Sequence, residues 1–391
     1  MSVNAKVGVG ETALVPRITW EECGETRSAL WRSEAKAPPP QRVVIADDTL
    51  TADAAYRLAN AGTAMLWRGD FQNARQLLQA LARRIDRKPK KKAAALTLAP
   101  ADVFHRHRMA QAQRARLLGM LLLPFDADYT VPLRRAPDVR QACLEAYGQG
   151  SEAFVVSLRE LLGLIGAHEW RKNGVAIAAL GERIHPHYGI FSPVRGEYLQ
   201  LIAEAPLPST QLAFDIGTGT GVIAALLAKR GIQRIVATDQ DPRAIACAKE
   251  NLARLGLQSQ VELLQQDMFP PGRAPLVVCN PPWVPARANA PIEHAIYDPE
   301  SRMLRAFLRS MAEHLEPGGE GWLILSDLAE HLGLRTRAEL QQWIADGGLK
   351  LIERHNIRPQ HPKAGDPDDP LHAARAAEVT SLWRLGRASG N

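Results

Sequence analysis

Four short clusters between positions 215 and 283 carry the residue types and spacing that can do chemistry together. The first is Asp215-Ile216-Gly217-Thr218-Gly219-Thr220-Gly221, which follows the apolar run Leu212-Ala213-Phe214 and precedes a helical stretch from Val222 to Arg230. Glycines at a strand-to-helix turn permit tight backbone geometry and let a ligand approach the main-chain amides closely. The turn differs from the dinucleotide fingerprint G-x-G-x-x-G, which needs glycine at position 222, where Val222 stands. The second cluster is Asp239, closing the run Ile235 to Thr238, 18 residues after Gly221. An acid at such a strand end can accept hydrogen bonds from ribose hydroxyls. The third is Asp267-Met268, just after the run Val261 to Gln265, and the fourth is Asn280-Pro281-Pro282-Trp283, just after Leu276 to Cys279. If those runs are consecutive parallel strands, all four clusters lie at carboxyl ends, where open α/β sheets bind ligands.

This ordered set resembles the class I S-adenosylmethionine-dependent methyltransferases that carry an N-P-P-aromatic motif, over roughly residues 183–391. That group includes adenine-N6 methyltransferases of DNA and RNA, and glutamine-amide methyltransferases of release factors and a ribosomal protein. The run from Phe191 to Leu199 and Tyr297-Asp298-Pro299 look like the glutamine branch. The resemblance implies S-adenosyl-L-methionine as cofactor, with Asp215, Gly217, Thr218, Gly219 and Gly221 around its methionine part. It implies Asp239 on the ribose hydroxyls, Asp267 accepting from the adenine amino group, and Met268 near the ring. Asn280, Pro281, Pro282 and Trp283 would face the methyl acceptor. An amide or adenine nitrogen has its lone pair delocalised, so it needs orienting. The Asn280 side-chain oxygen and the Pro281 carbonyl can accept both of its N–H hydrogens. Prolines stiffen the turn, and Trp283 offers a flat stacking face in place of the family's usual Tyr or Phe, without any hydroxyl contact.

These clusters need a scaffold. From Gln211 onward, apolar runs alternate with helical stretches, the pattern of a mostly parallel sheet covered on both faces. Glu320 to Ser326 reads as the fifth strand, and Lys350 to Ile357 with Glu378 to Leu385 as an antiparallel last pair. Ser301 to Leu315 and Thr336 to Ala345 read as flanking helices, and Val175–Leu180 and Arg183–Phe191 as a hairpin around Gly181. The expected fold class is α/β: a seven-stranded class I methyltransferase (Rossmann-like) sheet over residues 174–391, after a mainly helical N-terminal domain over 1–173.

In that first domain, no sustained period precedes Ala37-Pro38-Pro39-Pro40, and Gln41 to Ala46 reads as a short strand. Thr49 reads as the cap of a helix Ala52 to Asn60. A second helix follows Asp70, with Phe71, Ala74, Leu77, Leu78, Leu81 and Ile85 at helical spacing. Further helices are expected over Pro100 to Leu123, Pro137 to Tyr147 and Ser151 to Arg171. Lys plus Arg against Asp plus Glu is 26 against 18 over residues 1–180 and 22 against 24 over 181–391, so the first half holds the whole basic excess. Lys88, Lys90, Lys91 and Lys92 form either a linker or a polyanion contact. His105, Arg106, Arg108 and Arg116 fall on the polar arc of the third helix, either tracking phosphates or simply solvated, while Arg114 falls inside the apolar arc. The basic domain is therefore expected to recognise substrate, and tips the reading toward adenine N6 in a nucleic acid. The glutamine amide of a release factor or ribosomal protein is the alternative partner, and a non-catalytic RNA- or cofactor-binding subunit a lesser one.

Other residues read as structural. His185 and His187 are connector residues, His105 and His107 face different directions, and Asp366, Asp368 and Asp369 suit a solvated loop. Cys23, Cys143, Cys247 and Cys279 form no C-x-x-C pair, which argues against a zinc site or disulfide framework and for a cytoplasmic protein. The longest apolar run, Leu117 to Phe125, is far short of a bilayer span. With 46% hydrophobic and 23% charged residues, the chain is expected to fold as ordinary globular protein.

Overall fold

The structure, a computed structural model, describes residues 16–87, 98–193, 196–288, 291–359 and 365–388. Lys88, Lys90, Lys91, Lys92, Val194 and Arg195 lie outside the described residues. The chain divides into two compact units, Met1–Lys88 with Arg114–Leu162, and Pro89–Gln113 with Gly163–Asn391. The division does not fall at residue 174. The expected boundary treats the helices before it as one body, but two of them are shared between units.

The first unit carries β1 (Arg17–Glu22), β2 (Glu25–Trp31), β3 (Arg42–Ala46), α1 (Ala52–Asn60), β4 (Thr63–Trp67) and α2 (Phe71–Ile85). The last turn of α3 (Pro100–Leu118) follows, then β5 (Leu121–Phe125), α4 (Arg140–Tyr147), β6 (Phe154–Ser157) and the start of α5 (Leu158–Asn173). The six strands form one mixed sheet in the order β1-β2-β6-β5-β4-β3, so this unit is α/β where a mainly helical domain was expected. The reason is burial. Every residue of β4 and β5 is buried, so neither shows the alternation that marks a one-sided strand, and Leu121–Phe125 reads as a helix tail. The β1–β2 hairpin turns at Cys23 and Gly24, both at positive φ as a two-residue hairpin turn demands, on a pair that carries no Asn-Gly signal. Thr51, not Thr49, caps α1. Asp70 caps α2 as expected. Its buried carboxylate also takes Arg134 and Arg135 at 2.9 and 2.6 Å, which with the Gln72 amide hold it well below the usual carboxylate range.

The second unit begins, after the front of α3, with the rest of α5 and the hairpin β7 (Val175–Ile177) and β8 (Glu182–Ile184). It continues with α6 (Glu197–Glu204), β9 (Leu212–Ile216), α7 (Val222–Lys229), β10 (Arg234–Asp239), α8 (Pro242–Arg254), β11 (Val261–Gln265) and β12 (Ala274–Cys279). Then come α9 (Arg302–His314), β13 (Leu315–Ser326), α10 (Leu328–His331), α11 (Arg337–Asp346), β14 (Leu349–Ile357), α12 (His372–Ala377) and β15 (Thr380–Arg387). The sheet has seven strands in the order β11-β10-β9-β12-β13-β15-β14, and only β15 runs antiparallel to its neighbours. This is the expected fold of residues 174–391. The reversal of order at β9–β12 is a topological switch point, opening a crevice at the carboxyl ends of those strands. One core packs α6 and the buried residues Val222 to Ala228 of α7 on one face, and another packs Leu304, Phe307, Leu308 and Met311 of α9 on the other.

Candidate active site

The glycine turn sits at the carboxyl end of β9. The amides of Gly217 and Thr218 both donate to Thr238 O at 2.9 Å, tying the turn to β10. Gly217, Gly219 and Gly221 all have positive φ. A Cβ on Gly217 would lie 3.0 Å from Met303 Cε, and one on Gly221 3.2 Å from Ala248, so strain and crowding both require glycine there. The buried Asn251 side chain donates to Thr220 O at 3.0 Å and to His185 O at 3.2 Å, while its oxygen accepts from the His185 amide at 2.8 Å. One side chain thus fastens the exit of the hairpin to the glycine turn.

Asp215 is fully buried beneath this turn. Its Oδ2 accepts from Thr218 Oγ1 at 2.7 Å and from the Ala224 amide at 3.1 Å, and its Oδ1 has no partner among the described residues. Burial pushes its carboxyl up to about 7, against those two hydrogen bonds. Asp239 ends β10 half-buried, accepting from the Gly219 amide at 3.0 Å and the Asp241 amide at 2.9 Å; burial raises it too. Asp267 is exposed in the bend after β11. Met268 beside it has φ 63°, and its carbonyl accepts from Thr238 Oγ1 at 2.6 Å.

Asn280 follows β12, next to β9 in the sheet. Its Oδ1 accepts from the Trp283 indole N–H at 2.9 Å. The sequence reading gives Trp283 only a stacking face. The indole in fact supplies a donor of its own, which fixes the Asn280 amide. Tyr198 of α6 is buried beside them, its ring edge-to-face with Trp283 at 6.5 Å between centroids. Burial and the neighbouring Asp215 push the Tyr198 phenol above its usual range against a hydrogen bond with Asn280, so it stays protonated. Tyr198 was not singled out in the sequence. Its position inside the run 191–199 was the only signal.

The chain after Trp283 folds back over the site. Val284 and Tyr297 form a parallel bridge, with the Val284 amide donating to Ile296 O and the Asp298 amide to Val284 O. The buried Asp298 carboxylate accepts from the amides of Met303 and Leu304, capping α9. Glu300 and Ser301 between them are both left-handed, a strained pair that turns Met303 toward Gly217. Arg108 from α3 clamps this segment. Its guanidinium lies 3.9 Å from the Tyr297 ring centroid, pairs with Glu293 at 3.1 Å and donates to Arg287 O at 2.6 Å. Arg114 is bound to Asp86 at 2.7 Å. Arg108 is therefore not free to join the phosphate stripe that the helical arc suggested, and Arg114, which fell outside that arc, is paired as well. Phe104, also on α3, packs with Val284, Leu332, Leu371 and Ala374.

The histidines and cysteines behave as structure. His185 Nδ1 donates to Arg171 O, His187 pairs with Glu250, and Cys279 is fully buried. Among the described residues there is no cluster suited to a metal ion, and no helix long and apolar enough to cross a membrane.

Comparisons with known proteins agree with this geometry. A release factor glutamine methyltransferase of Cereibacter sphaeroides is 37% identical over 139 residues, covering 32% of this chain and 50% of that protein. A ribosomal protein L11 methyltransferase of Sorangium cellulosum is 36% identical over 116 residues, covering 30% and 31%. A tRNA1(Val) (adenine(37)-N6)-methyltransferase of Bacteroides thetaiotaomicron is 29% identical over 166 residues, covering 40% and 69%. The match thus spans half or less of the first two relatives. Residues 184–337 match the family described as the methyltransferase small domain.

Proposed function

We propose that the protein is an S-adenosylmethionine-dependent N-methyltransferase acting on a planar amino nitrogen, with adenine N6 in a nucleic acid ahead of a protein glutamine amide. The observation that carries the reading is the Asn280 amide, held by the Trp283 indole at the end of the strand beside the glycine turn. Three features fit the cofactor: the orphaned buried oxygen of Asp215, the turn whose three glycines all have positive φ, and the Asp239 carboxylate on the next strand. Asp215 and Gly217 to Gly221 would hold its methionine part, Asp239 its ribose, and Asp267 with Met268 its adenine. When bound, S-adenosylmethionine supplies a methyl group on a positively charged sulfur. The second lone pair of Asn280 Oδ1 and the Pro281 carbonyl accept the two N–H hydrogens of the acceptor, turning its nitrogen toward that methyl group. The nitrogen gains the methyl and loses one proton to water.

The adenine reading draws on the basic first half of the chain and on the tRNA enzyme, of which the match covers 69%. The glutamine reading has its own support in the release-factor relatives and in Tyr297-Asp298-Pro299. Nucleoside and tryptic-peptide mass spectrometry of a deletion strain separates them. Loss of N6-methyladenosine supports the first, whereas loss of a methylated glutamine with RNA unchanged replaces it with the second.

Two results follow from the geometry. Trp283→Phe keeps the ring but loses the donor to Asn280. Turnover should fall roughly 2- to 12-fold, the worth of one ordinary hydrogen bond, with cofactor affinity unchanged by calorimetry. Asp215 should also make cofactor binding depend on pH. Its folded value, near 7 against the usual 3.8, favours the folded protein in acid, and that contribution fades as pH rises through 7. A cation brought to its orphaned oxygen favours the ionised form, so binding should release a proton below pH 7. Affinity should climb from pH 5.5 to 7 and then level off. Calorimetry in buffers of different ionisation enthalpy measures the proton, and Asp215→Asn should flatten the profile.

A further inference from the structure

A recess of about 330 Å³ opens at the far end of the same sheet edge. Ser326 of β13 and Ile357 of β14 both pair with Thr380 of β15, and β13 runs parallel to β12. The recess therefore lies at the carboxyl ends of β13 and β14, on the edge that carries Asn280. At ~4.8 Å per strand, β15 and β14 stand roughly 10 and 14 Å across the sheet from β12. Its polar lining is Arg337, Arg354, Arg358, Asp327, Asn356 and Ser381.

The charges in this recess do not cancel. Arg337 is paired with Glu330 at 2.8 Å and lies 3.8 Å from Asp327. Arg354 and Arg358 are exposed and have no ion pair among the described residues. The Asp327 carboxylate is engaged by the Val379 amide at 2.7 Å. The guanidiniums of Arg337 and Arg354 each lie 5.2 Å from the Trp383 ring, so an aromatic surface holds both in place at the recess. Asn356 Oδ1 accepts from Ser381 Oγ at 2.7 Å, which leaves the Asn356 N–H groups as donors. Planar guanidinium donors whose positive charges have no carboxylate partner among the described residues suit a tetrahedral phosphate anion better than a neutral group.

We propose that this recess binds backbone phosphodiesters of the nucleic-acid substrate while the acceptor base lies at Asn280. The proposal rests on the adenine reading above. At roughly 10–14 Å from β12, the recess would hold phosphates flanking the base that reacts.

The test is the double variant Arg354→Glu with Arg358→Glu in the full chain, with Arg354→Gln with Arg358→Gln as a milder pair. Both side chains are exposed, and thermal unfolding checks the fold. Binding of a labelled 20-nucleotide single-stranded RNA containing adenines, and of pooled cellular RNA, is followed across a salt series. The expected result is at least tenfold weaker RNA binding, a log–log salt slope smaller by about 1.4–1.8 units, and unchanged S-adenosylhomocysteine affinity. Wild-type affinity and slope in a folded variant overturn the phosphate site while leaving RNA methylation by the wild type intact. If the wild type neither binds nor methylates RNA, the adenine reading and the recess proposal fall together. A variant that loses only methylation of an acidic protein substrate makes the recess a carboxylate site and also overturns the proposal.

Discussion

Asn280→Ala is expected to lower turnover by about two decades or more while leaving cofactor affinity within roughly twofold. The factor reflects a group that positions the acceptor nitrogen, and a hundredfold corresponds to about 2.7 kcal/mol of barrier. Affinity is spared because the cofactor is assigned to the ends of β9, β10 and β11, while Asn280 follows β12. The substitution also leaves the Trp283 indole N–H without its acceptor, a loss of about 1–3 kcal/mol of stability if that donor stays buried. Single-turnover kinetics on the identified substrate, with thermal unfolding alongside, separates the two effects. Normal turnover in a folded Asn280→Ala protein would reduce the N-P-P-W segment to a structural turn.

Asp239→Ala should weaken binding of S-adenosylhomocysteine roughly 10- to 150-fold, the loss of about 1.5–3 kcal/mol expected when hydrogen bonds to a charged acceptor go. The carboxylate does two things at once. It presents an acceptor at the end of β10, and it pins the Gly219 amide at 3.0 Å. Asp239→Asn keeps one oxygen for that amide but only one acceptor in all, so its loss should be intermediate. Calorimetry that finds wild-type affinity for the alanine variant removes Asp239 from the cofactor site.

The second unit was legible because its strands are short apolar runs separated by helices of clear period, and because each functional cluster is local in sequence. Asp215 to Gly221 and Asn280 to Trp283 each declare themselves within seven residues. The partners of those clusters were not legible. Tyr198 meets Trp283 across 85 positions, and Arg108 meets Tyr297 across 189, and no local pattern encodes such pairs. The sheet of the first unit was hidden for a different reason. Strands buried on both faces lose their alternation, so Leu121–Phe125 and Phe154–Ser157 merged into neighbouring helices. The arginines of α3 misled through composition. Charge counting treats every guanidinium as available, and Arg108 and Arg114 are already bound within the chain.

The sharing of α3 between the two units bears on how the polypeptide matures as it is made. The first unit has all its parts once Leu162 is synthesised, but Phe104 waits for Val284, Leu332, Leu371 and Ala374. At about 5–20 residues per second, the roughly 200 residues between Leu162 and Leu371 take on the order of 10–40 s to emerge. At the start of that interval Phe104 at the front of α3 has none of these apolar partners to pack against. It also means that cutting the gene at codon 174 would deprive Val284, Leu332 and Leu371 of their cover, so the catalytic half is better expressed with the segment from Pro100 retained.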